Sequence, residues 1–163
     1  MVSPELLRRF VFFAGFSDEE LKQLAMAGRE QAASVGEILF TEGKHAHNLY
    51  FLTEGAVEIL NVGSGSQESI AVSSLPAGEL VGWSAVIEPY IYTATARATR
   101  PSRVIVFASA ELEKLLSDDH FSCLLMRKIA QVIGQRLRDT RIQLLSLFSE
   151  RIPEHKARSI SRI

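Results

Sequence analysis

Gly36-Glu37-Ile38-Leu39-Phe40-Thr41-Glu42-Gly43 and, after four intervening residues, Asn48-Leu49-Tyr50-Phe51-Leu52-Thr53-Glu54-Gly55-Ala56-Val57 decide how this chain folds. Both are short apolar runs rich in β-branched and aromatic residues, with glycine at their corners. Such runs fit strands, and the glycines fit the turns between them. The spacing predicts strands at Glu37–Thr41, Asn48–Thr53 and Ala56–Val62, then at Glu68–Ser74 and Arg103–Phe107. Turns fall at Gly63-Ser64-Gly65-Ser66 and Pro76-Ala77-Gly78. Alternation along the third strand sends Val57, Ile59 and Asn61 to one face, and Glu58, Leu60 and Val62 to the other. Regular short strands over residues 29–108 predict a β-sandwich or barrel.

Outward from this region the chain reads as helix. In residues 1–28, Ser17-Asp18-Glu19-Glu20 is a capping box and Phe16 with Leu21 a hydrophobic staple. Leu21, Leu24 and Ala25 share one face, and Gly28 suits a stop. In residues 109–151, Ser109 caps a short helix to Leu116, and a long helix runs from Asp119 to Arg151. Cys123, Met126, Ala130, Ile133, Leu137, Thr140, Leu144 and Leu147 recur at alternating spacings of three and four, a heptad seam. Leu125, Ile129 and Val132 form a second stripe. Two stripes imply two partners: one packs on the β-domain, and the seam meets a second copy of the helix. A helix of about 30 residues is about 45 Å long, too long for a small β-domain to cover. Residues 152–163 read as a frayed basic tail, with Arg151, His155, Lys156, Arg158 and Arg162 around the break at Pro153.

A length of 163 residues predicts one α+β domain, and 47% hydrophobic residues supply a core. A formal net charge of −1 gives no field to steer nucleic acid or a membrane surface. A single cysteine, Cys123, excludes an internal disulfide. No signal peptide or apolar span is read, so a cytoplasmic location without membrane association is expected. No nucleophile–base arrangement, catalytic carboxylate pair or phosphate loop is found, so an enzyme is not expected.

The two opening runs, with Pro76-Ala77-Gly78-Glu79-Leu80-Val81-Gly82, Thr93-Ala94-Thr95 and the long helix, resemble the cyclic-nucleotide-binding domain of catabolite activator protein and its relatives. The resemblance covers about residues 6–148. It implies a jelly-roll barrel with N-terminal helices and a long dimerisation helix, and a ligand cassette at Gly82–Ala94. In the family, a glutamate after the cassette glycine accepts the ribose hydroxyl, and an arginine ten residues after that glycine pairs with the phosphate. Here Gly82, Ala85, Thr93 and Ala94 fit the pattern, but Trp83 and Tyr92 stand at the glutamate and arginine positions. A guanidinium offers a charged donor fork, whereas a phenol offers one neutral hydroxyl and an indole accepts nothing. Losing charge-assisted bonds of about 1.5–3 kcal/mol each predicts that cAMP and cGMP do not bind in the usual way. The resemblance also places Thr140 where a family threonine touches the nucleotide base, besides its role in setting helix register.

Gly82, Trp83, Ser84, Ala85, Tyr92, Thr93 and Thr140 are therefore the candidate pocket residues, for a small effector of unidentified chemistry, with no cofactor or metal. A homodimer is expected through Met126, Ala130, Ile133, Leu137, Thr140, Leu144 and Leu147, and a further protein partner is compatible. The alternatives are a dimerising scaffold whose pocket Trp83 closes, and weak cyclic-nucleotide binding through the Gly82–Ala85 amides and Thr93. Arg97 and Arg100 read as solvated charges: Arg97 falls on the face opposite Tyr92, and Arg100 lies about 26 Å along an extended strand. His45 and His47 read as exposed loop histidines, and His120 with Cys123 as buried at the long helix's start. No haem motif is present. The twelve residues after Arg151 are too few for the DNA-binding domain of the family's transcription factors, so DNA binding by this chain alone is not expected.

Overall fold

A computed structural model describes residues 2–63 and 68–150. The predicted turn residues Ser64–Ser66 and the tail 151–163 lie outside them. The chain divides into two compact units between Lys128 and Ile129.

The first unit begins with α1 (Pro4–Arg8), where the Ser3 hydroxyl accepts from the amides of Glu5 and Leu6. A 3-10 turn at Val11–Phe13 leads to α2 (Asp18–Ala27). Both halves of the predicted capping box form: Ser17 accepts from the Glu20 amide, and Glu20 accepts from the Ser17 amide at 2.7 Å. Phe16, Leu21, Leu24 and Ala25 are buried. α2 stops at Gly28 as read, and Gly28 caps it in an extended conformation, with φ −87° and ψ 149°, where it already pairs with Phe107.

Eight strands follow: β1 (Gly28–Ala33), β2 (Ile38–Phe40), β3 (Asn48–Glu54), β4 (Ala56–Val62), β5 (Ser69–Pro76), β6 (Leu80–Val81), β7 (Thr95–Ala98) and β8 (Ser102–Ala108). They form two four-stranded antiparallel sheets, β1-β8-β3-β6 and β2-β7-β4-β5. This is an α+β fold of helices flanking a β-roll. Sequence reading misses β1, β6 and β7. Gly-Arg-Glu-Gln-Ala-Ala and Thr-Ala-Arg-Ala are weak strand formers, and pairing with β8, and with β2 and β4, makes them strands.

β3 is buried on both faces from Leu49 to Leu52. Phe10, Phe12 and Phe13 pack on Phe51 with centroids 5.0, 5.6 and 4.7 Å away. Tyr50, one residue earlier, meets Phe40 of the other sheet at 5.6 Å. The N-terminal segment thus covers one sheet while that sheet's other face builds the core. The alternation expected in β4 fails: Val57 and Leu60 are the buried pair, and Ile59 is only half-buried. The register against β5 shifts between Ile59 and Leu60, where Val72 of β5 is the extra, unpaired residue.

α3 (Ser109–Leu115) starts one residue earlier than expected: Ala108 occupies the N-cap with no side-chain cap bond, and Ser109 is already helical. α4 (Asp119–Glu150) has 32 residues, about 48 Å. Phe121 and Leu125 at its start are buried, with Phe121 5.6 Å from Phe16. His120 and Cys123 are exposed, contrary to their expected burial, because the first turns of α4 bury the stripe of Phe121 and Leu125 instead.

His120 pairs through Nδ1 with Glu20 Oε1 at 2.7 Å. This ties the start of α4 to α2. Burial raises the Glu20 carboxyl, but bonds from the Ser17 amide and from His120 outweigh it and hold the group below the usual carboxylate value. The hydrogen bond and charge of Glu20 hold the imidazole above its ordinary value. The lowered acid stabilises above the unfolded glutamate's pKa, and the raised base stabilises below the unfolded histidine's. The pair therefore contributes between those values and fades as pH rises through the folded imidazole's pKa. In urea unfolding from weakly acidic to weakly alkaline pH, His120→Ala should flatten the fall in stability; an unchanged slope would remove the pair from the account.

In the second unit the helix is largely exposed. Of the predicted seam, Leu137, Leu144 and Leu147 are 50%, 53% and 60% exposed, and Thr140 is exposed as well. Ile142, Leu145 and Phe148 are also exposed, so the apolar surface is broader than the seam alone.

Candidate functional site

The cassette opens at Gly82, whose φ of 77° lies in the left-handed region. A Cβ there would sit 3.1 Å from the Asn48 carbonyl oxygen and 3.3 Å from the rings of Phe40 and Tyr92. Glycine is therefore required by conformation and by space. A 3-10 turn follows at Trp83–Ala85. The Ala85 amide donates to the Gly82 carbonyl at 3.0 Å and the Val86 amide to Trp83 at 3.1 Å. The Ala85 N–H is thus spent within the turn. Ser84 and Ala85 are buried, and Trp83 is half-exposed.

Tyr92 is 5% exposed. Its ring stacks on Phe40, with centroids 4.1 Å apart and planes 16° from parallel. Its hydroxyl donates to the Asn48 carbonyl at 2.8 Å and accepts from the Asn48 amide at 3.2 Å. Beside it, Tyr50 donates to the Leu39 carbonyl at 3.0 Å. Burial pushes the Tyr92 hydroxyl up to about 12; the Asn48 backbone opposes this and Tyr50 adds to it. Tyr92 is thus a core residue that clamps the start of β3 to the end of the cassette. Phe40, Asn48 and Tyr50, which complete this arrangement, lie in the two opening runs, but nothing in those runs marks them as partners of Tyr92, because they come from β2 and β3 and meet it only in three dimensions.

Removing the hydroxyl by Tyr92→Phe strands a buried N–H and C=O, so the expected loss is about 2 kcal/mol of unfolding free energy. The alkaline limb provides a second test. The unfolded phenol ionises near 10, while the folded one keeps its proton to about 12. Its contribution is complete below the lower value and lost as pH rises through the upper one, about 3 kcal/mol in all. Urea midpoints across this range should fall more steeply for the parent protein than for Tyr92→Phe.

Thr93 is exposed, and its carbonyl accepts from Asn61 Nδ2 at 2.8 Å. Gly82 and Tyr92 are in contact, with Trp83–Ala85 and Thr93 adjoining them in the chain. Thr140 belongs to the second unit. Arg97 is not a free solvated charge: its Nε binds Glu58 Oε1 at 2.6 Å, and the two residues are register partners on β7 and β4. Arg100 is exposed. His45 and His47 are exposed with ring centroids 4.4 Å apart. Among the described residues no group of three or more His, Cys, Asp or Glu is placed to hold a metal, and no helix is long and apolar enough to cross a membrane.

The family model of the cyclic nucleotide-binding domain matches residues 30–119. A crystal structure from Geobacter metallireducens GS-15, named for cyclic nucleotide binding, is 36% identical, with 84% of this chain and 99% of that chain covered and a TM-score of 0.74. The catabolite activator protein of Thermus thermophilus shares the fold at 21% identity and a TM-score of 0.68, over 89% of this chain and 63% of that one. A curated protein of Rhodopseudomonas palustris, named as a potassium channel protein, is 24% identical over 148 residues, 90% of this chain. The chain spans 34% of that relative's length. With a roll of two antiparallel sheets, a cassette turn opened by a left-handed glycine, and a family match across more than half its length, the chain belongs to the cyclic nucleotide-binding domain family.

Proposed function

We propose that this chain is a regulatory, non-enzymatic sensing module whose cassette does not take cAMP or cGMP through a phosphate–arginine pair. The observation that carries this reading is the state of Tyr92. At the position where the family resemblance puts the arginine stands a buried phenol, with its hydroxyl bonded at both ends to the backbone of Asn48. A cyclic phosphate placed beside it meets no counter-charge from this residue, and desolvating an unpaired anion is costly. A small effector of different chemistry would instead engage the turn at Gly82, Trp83, Ser84 and Ala85 and the exposed Thr93, with Tyr92 as a wall. Residues 29–108 then hold the effector, and residues 1–28 and 109–151 pass its state to a second copy or an output segment in the cytoplasm. The potassium-channel relative offers one setting in which such a module would serve a larger protein.

A specific observation also favours the scaffold reading, in which the pocket is degenerate: the Tyr92 hydroxyl is already engaged by both the amide and the carbonyl of Asn48 and so serves the fold. Calorimetric titration with cAMP tests the shared premise. No saturable heat is expected at micromolar nucleotide, and saturable micromolar binding would overturn both readings. A thermal-shift panel of cyclic dinucleotides and common metabolites then separates them, since only the sensing reading expects a shift.

A further inference from the structure

A concavity of about 380 Å³ lies between the cassette and α3. Ala46, Ala85, Val86 and Leu116 give it an apolar lining, with Tyr90, His45, Ser109 and Glu113 as its polar groups. Its size is at the small end of the range for small-molecule sites.

Three features set it apart from an ordinary surface dip. First, Ser109 and Glu113 stand four residues apart on α3, so both side chains lie on one helical face toward the same space. Second, among the described residues neither the Glu113 carboxylate nor the Tyr90 hydroxyl has a hydrogen-bond or ion-pair partner, although Glu111, on the same helix, is paired with Lys114 at 2.7 Å. Third, Tyr90 has a φ of 58°, a conformation bulky residues rarely adopt and one that carries a cost. Its backbone is fixed by bonds from its amide to Ile87 at 3.0 Å and from the Ala46 amide to its carbonyl at 2.7 Å. The strained backbone holds a 40% exposed aromatic ring at the cavity.

We infer that this concavity is a binding site for a small organic cation with an apolar or aromatic body. Glu113 supplies the negative charge for an ammonium group, and the Tyr90 ring supplies a π-face for it. Ala46, Ala85, Val86 and Leu116 receive the apolar part. The site shares Ala85, Val86 and Tyr90 with the cassette segment, but Gly82, Trp83, Ser84, Tyr92 and Thr93 do not line it. An occupant would rest against the last residue of the cassette turn and against α3 at once, so it would bias the segment that leads into α4.

Benzylamine and its neutral counterpart benzyl alcohol are suitable probes, followed by amide chemical shifts of the whole labelled chain. Benzylamine is expected to shift Ala46, Val86, Ser109 and Leu116 saturably, with benzyl alcohol about tenfold weaker. Glu113→Gln, at an exposed position, should weaken benzylamine about tenfold and leave benzyl alcohol unchanged; the rest of its spectrum reports that the fold is kept. Equal binding of the two probes, retention of benzylamine by Glu113→Gln, or shifts that do not saturate would each overturn the assignment. None of these outcomes depends on the cAMP titration.

Discussion

Gly55→Ala should lower the unfolding free energy by about 3 kcal/mol, read as a fall in the urea midpoint at constant slope. Gly55 turns β3 into β4 at a φ of 91°. Any other residue there pays the left-handed penalty of roughly 1–2 kcal/mol. The neighbourhood adds more. A Cβ would collide with Ser102 Oγ and lie 2.6 Å from the Pro101 carbonyl oxygen. Ser102 cannot move aside freely, since its hydroxyl is bonded to the Ala56 amide at 3.2 Å and to the Arg100 carbonyl at 2.8 Å. The strain would therefore spread to the corner where β8 meets the β3–β4 turn, which Thr53 Oγ1 also ties to the Arg103 carbonyl at 3.0 Å. Gly43→Ala is the control. Gly43 has a similar φ of 77°, but nothing lies within 4 Å of its added Cβ. It should lose only the conformational part, about 1 kcal/mol. Equal losses at the two positions would mean that the packing around Ser102 relaxes without cost.

These two glycines show what the sequence makes legible. Both are read correctly as corners, because a turn needs a permissive residue and the flanking runs are strongly β-forming. That one corner is open and the other is locked against β8 depends on a segment about fifty residues away. The same division holds elsewhere. The Ser17–Glu20 capping box is local, and it forms as read. The pairing of β4 with β5 is regular only up to Ile59, where Val72 bulges out of β5, and nothing local in either strand marks that shift. Arg97 reads as solvated by parity, and only the register of β7 on β4 supplies Glu58. At the cassette, the spacing Gly82 to Tyr92 is visible in the chain, and so is the change in chemistry from guanidinium to phenol. What Tyr92 does with its hydroxyl is not visible, because Asn48 lies 44 residues earlier on another strand.

The largest effect is expected at the long helix. Leu144 and Leu147 lie on the heptad seam and are 53% and 60% exposed. In the proposed homodimer each would be buried twice, once from each copy. Burying a leucine contributes about 1.5–3 kcal/mol relative to exposure, and a glutamate in its place would have to be desolvated without a partner. Leu144→Glu with Leu147→Glu should therefore raise the dissociation constant about a thousandfold or more, equivalent to about 4 kcal/mol, in sedimentation equilibrium. Thr140, in the same seam, should behave in the opposite sense: Thr140→Val removes a hydroxyl from the interface and should tighten the dimer modestly while loosening its register. Arg138 and Asp139, on the same turns but off the seam, serve as controls, and alanine there should leave the association nearly unchanged. If the parent chain sediments as a monomer at high micromolar concentration, the seam has another partner. If the double variant remains dimeric while the parent is a dimer, the copies meet through a different surface.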